Sequence, residues 1–372
     1  MYELFRPRAL KLDSGYVITC PSGKHARISD KEFLQFKRKN IGKELYHKLS
    51  KAGIIITNAN KQAVVNAYRN SKQFHSPEIH EIEIGSLELS KRLAKFLSGI
   101  PSKRLKIVIR GDKPLEKLEA IKLLLKSLRH SVSLEIYSDM ESMNKERLRI
   151  LNKFKAKMVV PLPIKAGHWL TKIEVIGIPR VSAKILSTEF SGLKRIRLEP
   201  DLFENSKRYV KFWQALIESL VNTDIIELET LELYKKAVLG GQSLTCGAVI
   251  NRLAYDSKGS IFPCYNAMLA DEEFFKLGNI QSTYQELIKS QPVISMLKSE
   301  FAPNPACSKC AFSPYCENCV VDNFLEHGSP SPIAGARLCR IRKQQYEQIF
   351  KWAYGSTRIS RMLKAWIKTK DL

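Results

Sequence analysis

Seven of the eight cysteines in this chain of 372 residues fall in its last third, at spacings that suit metal binding. In order, they are Cys246, Cys264, Cys307, Cys310, Cys316, Cys319 and Cys339. A C-x2-C pair lets two thiolates of one turn reach the same metal centre, in zinc sites and in iron–sulfur sites alike. Disulfides or buried free thiols are the alternative, but such a dense group in an otherwise cysteine-poor chain favours metal ligands.

The number of thiolates indicates more than one metal centre. Seven exceed what one four-coordinate site can use, so we predict one set of four cysteines and one set of three. Two zinc ions could be held in this way, with water or His327 as the eighth ligand. A lone histidine is more often an ordinary surface residue, and the residues alone leave the choice between zinc and iron–sulfur open.

The cysteine pattern resembles that of SPASM domains, the C-terminal modules of radical SAM peptide-modifying enzymes. Their pattern is C-x(9–15)-G-x4-C, a gap, C-x2-C-x5-C-x3-C, a gap, and C. Gly259 supplies the glycine, and the single departure is two residues instead of three between Cys316 and Cys319. The resemblance implies two auxiliary [4Fe–4S] clusters. It assigns one to Cys307, Cys310, Cys316 and Cys339, and the other to Cys246, Cys264 and Cys319.

The three-cysteine cluster lacks a fourth thiolate in this pattern. Some members of the family have another cysteine just upstream of the first, but residues 239–243 contain none. Either this cluster keeps an open iron, or Cys20 reaches it. An open iron is the basis of one alternative hypothesis, an enzyme that uses the auxiliary cluster itself.

The N-terminal segment reads as a small α+β unit that resembles a winged helix. We predict strands at Tyr16–Thr19 and Ala26–Ile28, helices at Lys31–Arg38 and Gly42–Lys51, and a strand at 54–56. Residues 2–5, 15–36 and 45–56, and the ending 339–343, resemble radical SAM maturases of His-Xaa-Ser peptide systems. The resemblance implies a domain that binds a precursor peptide, by strand addition to an exposed sheet edge.

The middle of the chain alternates short apolar runs with amphipathic helices, which predicts βαβ units. The fold class is therefore α/β, with a partial (β/α)6-type barrel. Strands are predicted at 79–84, 105–110, 133–137, 157–160, 172–176, 193–198 and 225–228, and helices at 89–97, 115–129, 144–154 and 210–221. The predicted domains are the winged-helix-like domain (1–75), the barrel (76–240), the SPASM domain (241–345) and a basic C-terminal helix (346–372).

The barrel lacks the cysteines that radical SAM chemistry requires. The family carries C-x3-C-x2-C after the first barrel strand, but no cysteine lies between Cys20 and Cys246. After the second strand, where the family has Gly-Gly-Glu-Pro against S-adenosylmethionine (SAM), this chain has an eroded remnant containing Gly111 and Asp112. Asp112 either keeps a carboxylate role or, as we expect, lies before Pro114 as the cap of the helix that follows. We expect no SAM binding and no catalytic residues.

The net charge of +24 indicates a polyanionic partner or a lysine-rich solvated surface. Residues 246–339 carry 7 basic and 9 acidic side chains, so the excess lies elsewhere. In the tail, Trp352, Tyr354 and Trp366 alternate with Arg and Lys. This mixture suits nucleic-acid binding, whereas an amphipathic helix that packs its aromatic residues on the body is the alternative that we favour.

No apolar run reaches the about 18 residues that span a bilayer, and residues 1–14 do not resemble a signal peptide. We therefore expect a cytoplasmic protein without membrane partners. Our leading hypothesis is a catalytically degenerate radical SAM/SPASM-like protein, an accessory partner in a peptide-modification (RiPP) system. Its partner would be a precursor peptide or a maturase enzyme.

Overall fold

The computed structural model describes most of the chain. The described residues are 3–4, 7–70, 76–138, 142, 144–166, 169–179, 190–198, 206–240, 247–270, 273–301, 305–316, 319–331, 333–355 and 357–369. None of the helices in these ranges combines the length and the hydrophobicity needed to span a bilayer.

The first 70 residues form a small unit, called here the N-terminal unit (residues 3–70). Its elements are β1 (Glu3–Leu4), β2 (Arg8–Lys11), β3 (Tyr16–Thr19), β4 (His25–Ile28), α1 (Asp30–Lys37), α2 (Lys43–Lys51), β5 (Ile55–Ile56) and α3 (Lys61–Asn70). Strands β2, β3 and β4 form an antiparallel sheet, and β1 pairs with β5. The predicted elements agree with these bounds to within one residue, whereas the winged-helix likeness stays a prediction.

Alternation along β3 gives the small sheet two buried faces. Ile18 packs with the unit's own helices, in a cluster that includes Phe33 and Leu49. Val17 points the other way and joins the aromatic core around Trp213. The N-terminal unit therefore has its own core and also docks on the body of the protein.

The body is built on one mixed sheet. Its strands are β6 (Ile79–Glu83), β7 (Arg104–Arg110), β8 (Ser131–Tyr137), β9 (Lys157–Ala166), β10 (Trp169–Pro179), β11 (Phe190–Leu198), β12 (Ile226–Glu227), β13 (Arg252–Tyr255), β14 (Ser260–Phe262) and β15 (Gly278–Asn279). The order across the sheet is β12-β11-β10-β9-β8-β7-β6-β13-β14-β15. Strands β13, β6, β7, β8 and β9 run parallel to one another.

The prediction of about six βα units is wrong between β9 and β11, whereas β11 and β12, joined through the helix Ser206–Ser219, are again parallel. Strands β9 and β10 are antiparallel, and so are β10 and β11. Only two residues separate β9 from β10, and a parallel crossover needs about a dozen. The described strands β9, β10 and β11 therefore form an antiparallel meander rather than part of a βα barrel.

Helices cover the sheet and complete the C-terminal third. They are α4 (Leu87–Ser98), α5 (Leu118–Ser127), α6 (Lys145–Lys153), α7 (Ser206–Ser219), α8 (Leu228–Leu239), α9 (Tyr265–Leu269), α10 (Tyr284–Leu287), α11 (Gln291–Phe301), α12 (Pro305–Ser308), α13 (Val320–His327), α14 (Arg337–Tyr354) and α15 (Arg358–Lys368), with 3₁₀ turns at Pro114–Lys117 and Glu273–Phe275. The predicted single tail helix is two helices. Since α14 begins at Arg337, the boundary predicted at residue 345 lies inside it.

Candidate metal centres and the carboxyl edge of the sheet

Four cysteines lie around the junction of α12 and α14, and we call them the four-cysteine set (Cys307, Cys310, Cys316, Cys339). Burial, together with the charges of the other three thiols, raises the pKa of the Cys316 thiol to about 12. Burial raises the pKa of Cys307, and the charges of Cys310 and Cys339 raise it as well. The four thiols are thus near enough to influence one another, although 32 positions separate the first from the last.

Cations and an amide donor surround the four-cysteine set. The buried Arg342 guanidinium lowers the pKa of Cys316, against the effect of burial. It is held by an ion pair with Glu229. Arg8 donates to the carbonyl of Cys310 at 3.3 Å, and the amide of Gly335 lies 3.4 Å from Sγ of Cys339. Positive charge and N–H donors are what an anionic thiolate-bound cluster requires.

Two further cysteines lie at the starts of two helices. Cys264 precedes α9 and Cys319 precedes α13, where the amide of Asp322 donates to Sγ of Cys319 at 3.4 Å. Burial raises the pKa of Cys264 to about 11. Burial also raises the pKa of Cys319, and the Cys264 charge raises it further. These thiols therefore form a second neighbourhood; Cys246, the third member of the predicted set, lies outside the described residues.

The described cysteines are all free thiols. As the side chains stand in the described ranges, no three Cys, His, Asp or Glu groups converge on a single metal ion. The donor chemistry nevertheless fits thiolate-bound metal, because each neighbourhood combines two or more thiols with an N–H donor to sulfur.

The two residues considered as extra ligands lie apart from the three-cysteine neighbourhood. Cys20 is buried in the N-terminal unit, with its Sγ 3.1 Å from Oγ of Ser22. The Cys20 charge contributes to raising the pKa of Tyr315, which lies on the loop of the four-cysteine set. His327 is exposed at the end of α13, where its ring lies 3.5 Å from Glu326.

The carboxyl ends of β6, β7 and β8 hold a polar cluster that the sequence did not reveal. Nε of Arg110 lies 3.4 Å from Oε1 of Glu81, as an ion pair without an aligned hydrogen bond. The Arg110 guanidinium lies 3.6 Å from the ring centroid of Tyr137 and 4.7 Å from that of Tyr265. We call Glu81, Arg110, Tyr137 and Tyr265 the edge cluster. The acidic i, i+2 pair Glu81 and Glu83 on a buried strand was the available signal.

The loop after β6 is short and packs against the neighbouring hairpin. Only three residues separate β6 from α4, fewer than the eight positions of a C-x3-C-x2-C motif. A Cβ on Gly85 would come 2.8 Å from the carbonyl oxygen of Ser257. The hairpin of β13 and β14 therefore lies directly against this loop.

The remnant after β7 does not match the prediction for Asp112. Gly111 has φ +103°, and a Cβ there would meet Cγ of Glu83 at 2.9 Å. Asp112 is exposed, and the 3₁₀ turn that follows starts at Lys113 without a side-chain cap. The predicted capping role of Asp112 is wrong because the left-handed backbone of Lys113 occupies the cap position instead.

The two tail tryptophans are core residues, and Tyr354 packs half-buried against the same core. Trp352 and Trp366 are each 5% exposed, and the Trp352 ring lies 5.1 Å from that of Trp213. Buried rings cannot stack on bases, so the packing alternative accounts for these residues. The Lys and Arg side chains of the tail keep their positive charge whether or not the aromatic rings are buried.

Comparisons with known proteins bear on the cysteine region and on the fold. The family model described as SPASM, an iron–sulfur cluster-binding domain, matches residues 246–311. The fold is similar to that of native anSMEcpe with bound AdoMet, an anaerobic sulfatase-maturating enzyme, at a TM-score of 0.52 and 13% identity. A second structure of that protein, with bound AdoMet and the Cp18Cys peptide, gives 0.51 and 14%. Each match covers 78% of this chain and 100% of the other. No curated protein matches significantly.

Proposed function

The chain carries a SPASM domain on the fold of the radical SAM/SPASM maturases, and on that premise we propose a two-centre iron–sulfur protein that does not cleave SAM by itself. It acts as a binding or electron-transfer partner in a system that modifies a peptide or protein. The observation that carries this proposal is the grouping of the SPASM thiols together with the absence of cysteine from the segment that follows β6.

The grouping of thiols supports two metal centres. The four-cysteine set would hold one [4Fe–4S] cluster, and Cys246, Cys264 and Cys319 would hold the other. A bound cluster supplies one-electron transfer. The chain's own residues supply the thiolates, the N–H donors of Gly335 and Asp322, and the shielding of the sulfurs from water. Free thiols suit a reducing compartment such as the cytoplasm.

The carboxyl edge supports the absence of SAM cleavage. A cluster that cleaves SAM would need three thiolates after β6, and this segment contains no cysteine. Instead, Glu81 and Arg110 form an ion pair there, and Gly85 lies against the β13–β14 hairpin.

A peptide or protein partner is supported by the similar protein, one structure of which contains a bound peptide. In the N-terminal unit, β2 and β4 are the outer strands of the three-stranded sheet. An extended peptide could add to such an edge through main-chain hydrogen bonds. We propose that a precursor peptide binds at one of these two edge strands, β2 or β4.

Metal analysis tests the two centres. After anaerobic reconstitution we expect about eight iron and eight sulfide per chain, corresponding to two [4Fe–4S] clusters. Cys316→Ala should lose about half of both, because it breaks only the four-cysteine set. Cys20→Ala is the matched control, since it removes a buried thiol that lies in neither set, and it should keep full loading. Zinc without sulfide would overturn the iron–sulfur assignment.

Product analysis tests the missing SAM chemistry. The reconstituted protein, incubated with dithionite and SAM, should yield no 5′-deoxyadenosine above the level of the metal-free protein. Production that depends on the clusters would overturn the proposal.

A further inference from the structure

The hairpin that leads to Cys264 is joined to the main sheet at its carboxyl edge. Strand β13 pairs in parallel with β6, and two carboxylates of β6 accept backbone amides from this segment. Oε2 of Glu81 accepts from the amide of Tyr265 at 2.9 Å, and Oε2 of Glu83 accepts from Ser257 at 3.4 Å. Tyr265 directly follows Cys264, so Glu81 holds the backbone of the cysteine through its neighbour.

Glu81 is itself fixed by its surroundings. It is 5% exposed, and its other oxygen faces Arg110, whose guanidinium stacks between two tyrosine rings. The phenol of Tyr265 also lies at the backbone of Gly111. A carboxylate held in this way cannot swing into water, and its charge stays close to the thiol of Cys264.

We propose that Glu81 is a positioning residue for the three-cysteine centre, and that its fixed negative charge keeps the reduction potential of that centre low. One-electron reduction adds one negative charge to the centre, and no bond is made or broken. A nearby carboxylate opposes the added charge, and water in this buried region screens it little. The inference rests on the proposed function, because it assumes that the centre is redox-active.

The first test is Glu81→Gln, which removes the charge and keeps an oxygen that can accept from Tyr265. We expect the reduction equilibrium of the three-cysteine centre to shift about tenfold toward the reduced form, which is about 59 mV for a one-electron couple. Redox titration followed by EPR measures the shift. The four-cysteine centre serves as an internal reference and should not move.

Glu135→Gln is the matched control. Glu135 lies in register with Glu81, two strands away across Val108, and it is buried and paired with Lys106 at 2.9 Å. Two strand spacings are about 10 Å, so this variant loses the same charge farther from Cys264. An equal shift in both variants, or none in Glu81→Gln, would overturn the proposal.

Two further variants keep the test decisive. Arg110→Gln removes the cation beside Glu81 and should move the potential in the opposite direction, even if Glu81→Gln does not fold. Glu81→Asp keeps the charge but is shorter, so it should weaken the hold on the Tyr265 amide. Hydrogen exchange of that amide in metal-free protein should then speed up severalfold, whereas the Glu135 variant should match the wild type. Unchanged exchange would refute the positioning role.

The two proposals fail differently. If the wild-type protein binds no iron and no sulfide, the proposed function fails, but the hydrogen exchange in metal-free protein still tests whether Glu81 positions Cys264. If both clusters form and the variants leave the potentials unchanged, the proposed function stands and this inference fails.

Discussion

His25 shows how one half-buried side chain makes a junction sensitive to pH. It lies on β4, and its ring contacts Tyr315, Phe350 and Tyr354. Its Nδ1 lies 3.4 Å from the phenol of Tyr315. Burial lowers the pKa of His25 from 6.5 to about 4. The neutral form is therefore favoured where the N-terminal unit meets α14.

Acid should loosen this junction. Between pH 6.5 and 4 the unfolded chain binds a proton at His25 that the folded protein does not, so stability is full above pH 6.5 and falls as the pH drops toward 4. A lowering of about 2.5 units corresponds to about 3 kcal/mol. Urea unfolding of the wild type and His25→Gln from pH 7 to 4.5 should show a smaller pH dependence in the variant. Equal slopes would contradict this prediction.

The same scale explains why the edge cluster was not predicted. Glu81, Arg110, Tyr137 and Tyr265 come from four separate segments, and nothing local links them. The ligands of the proposed centres were easier to identify because their spacing is itself the signal. A sequence thus reveals sites whose residues follow a characteristic spacing, but not sites whose members share no spacing and meet only in the fold.

At the scale of elements, the sequence predicted those structures that local chemistry determines. Helix α1 begins at a capping box of Ser29 and Glu32, which the sequence displays directly. The antiparallel course of β9 and β10 was missed because each is an apolar run like the parallel strands. Strand direction depends on the length of the connection: the predicted strands 157–160 and 172–176 leave eleven residues between them, whereas β9 and β10 extend toward each other and leave two.

The turn between β2 and β3 depends on a glycine. Gly15 has φ +85°, and a Cβ there would come 2.3 Å from the carbonyl oxygen of Ile28. Gly15→Ala should lower the free energy of unfolding by about 2 kcal/mol or more, from backbone strain and the clash. Gly42→Ala is the control, because nothing lies within 4 Å of its Cβ position. Gly42 is the N-cap of α2, where alanine is a poorer cap but also lowers the entropy of the unfolded chain, so the net loss should stay below about 1 kcal/mol. Equal losses in thermal or urea unfolding would contradict the argument.

At the scale of the whole molecule, α14 connects parts that are distant in sequence. It packs on α7 and α8, and it carries Cys339, Arg342 and the buried Trp352. The Tyr346 phenol donates to the carbonyl of Tyr315 at 2.6 Å. One helix therefore joins the four-cysteine loop to the aromatic core.

The ion pair between Arg342 and Glu229 should be a major element of this connection. Both side chains are largely buried, at 12% and 14% exposure. Arg342→Gln should cost about 3–5 kcal/mol, since it leaves Glu229 buried and unpaired. The double variant Glu229→Gln with Arg342→Gln should recover part of that loss. A double-mutant cycle of urea unfolding on metal-free protein checks this, and strictly additive losses would disprove the coupling.

The contacts between β2, β3 and the four-cysteine loop also bear on how the protein is made. Arg8 and Thr19 donate to the carbonyls of Cys310 and Ala311, partners 302 and 292 positions apart. At synthesis rates of 5–20 residues per second, the ribosome needs roughly 15–60 s to deliver the second partner after the first. During that interval the face of the small sheet that later contacts the cysteine loop is uncovered, and chaperones can bind to it. Closure of this contact and cluster insertion at the same loop both wait for residues 307–311, so the two events fall in the same stage of biogenesis.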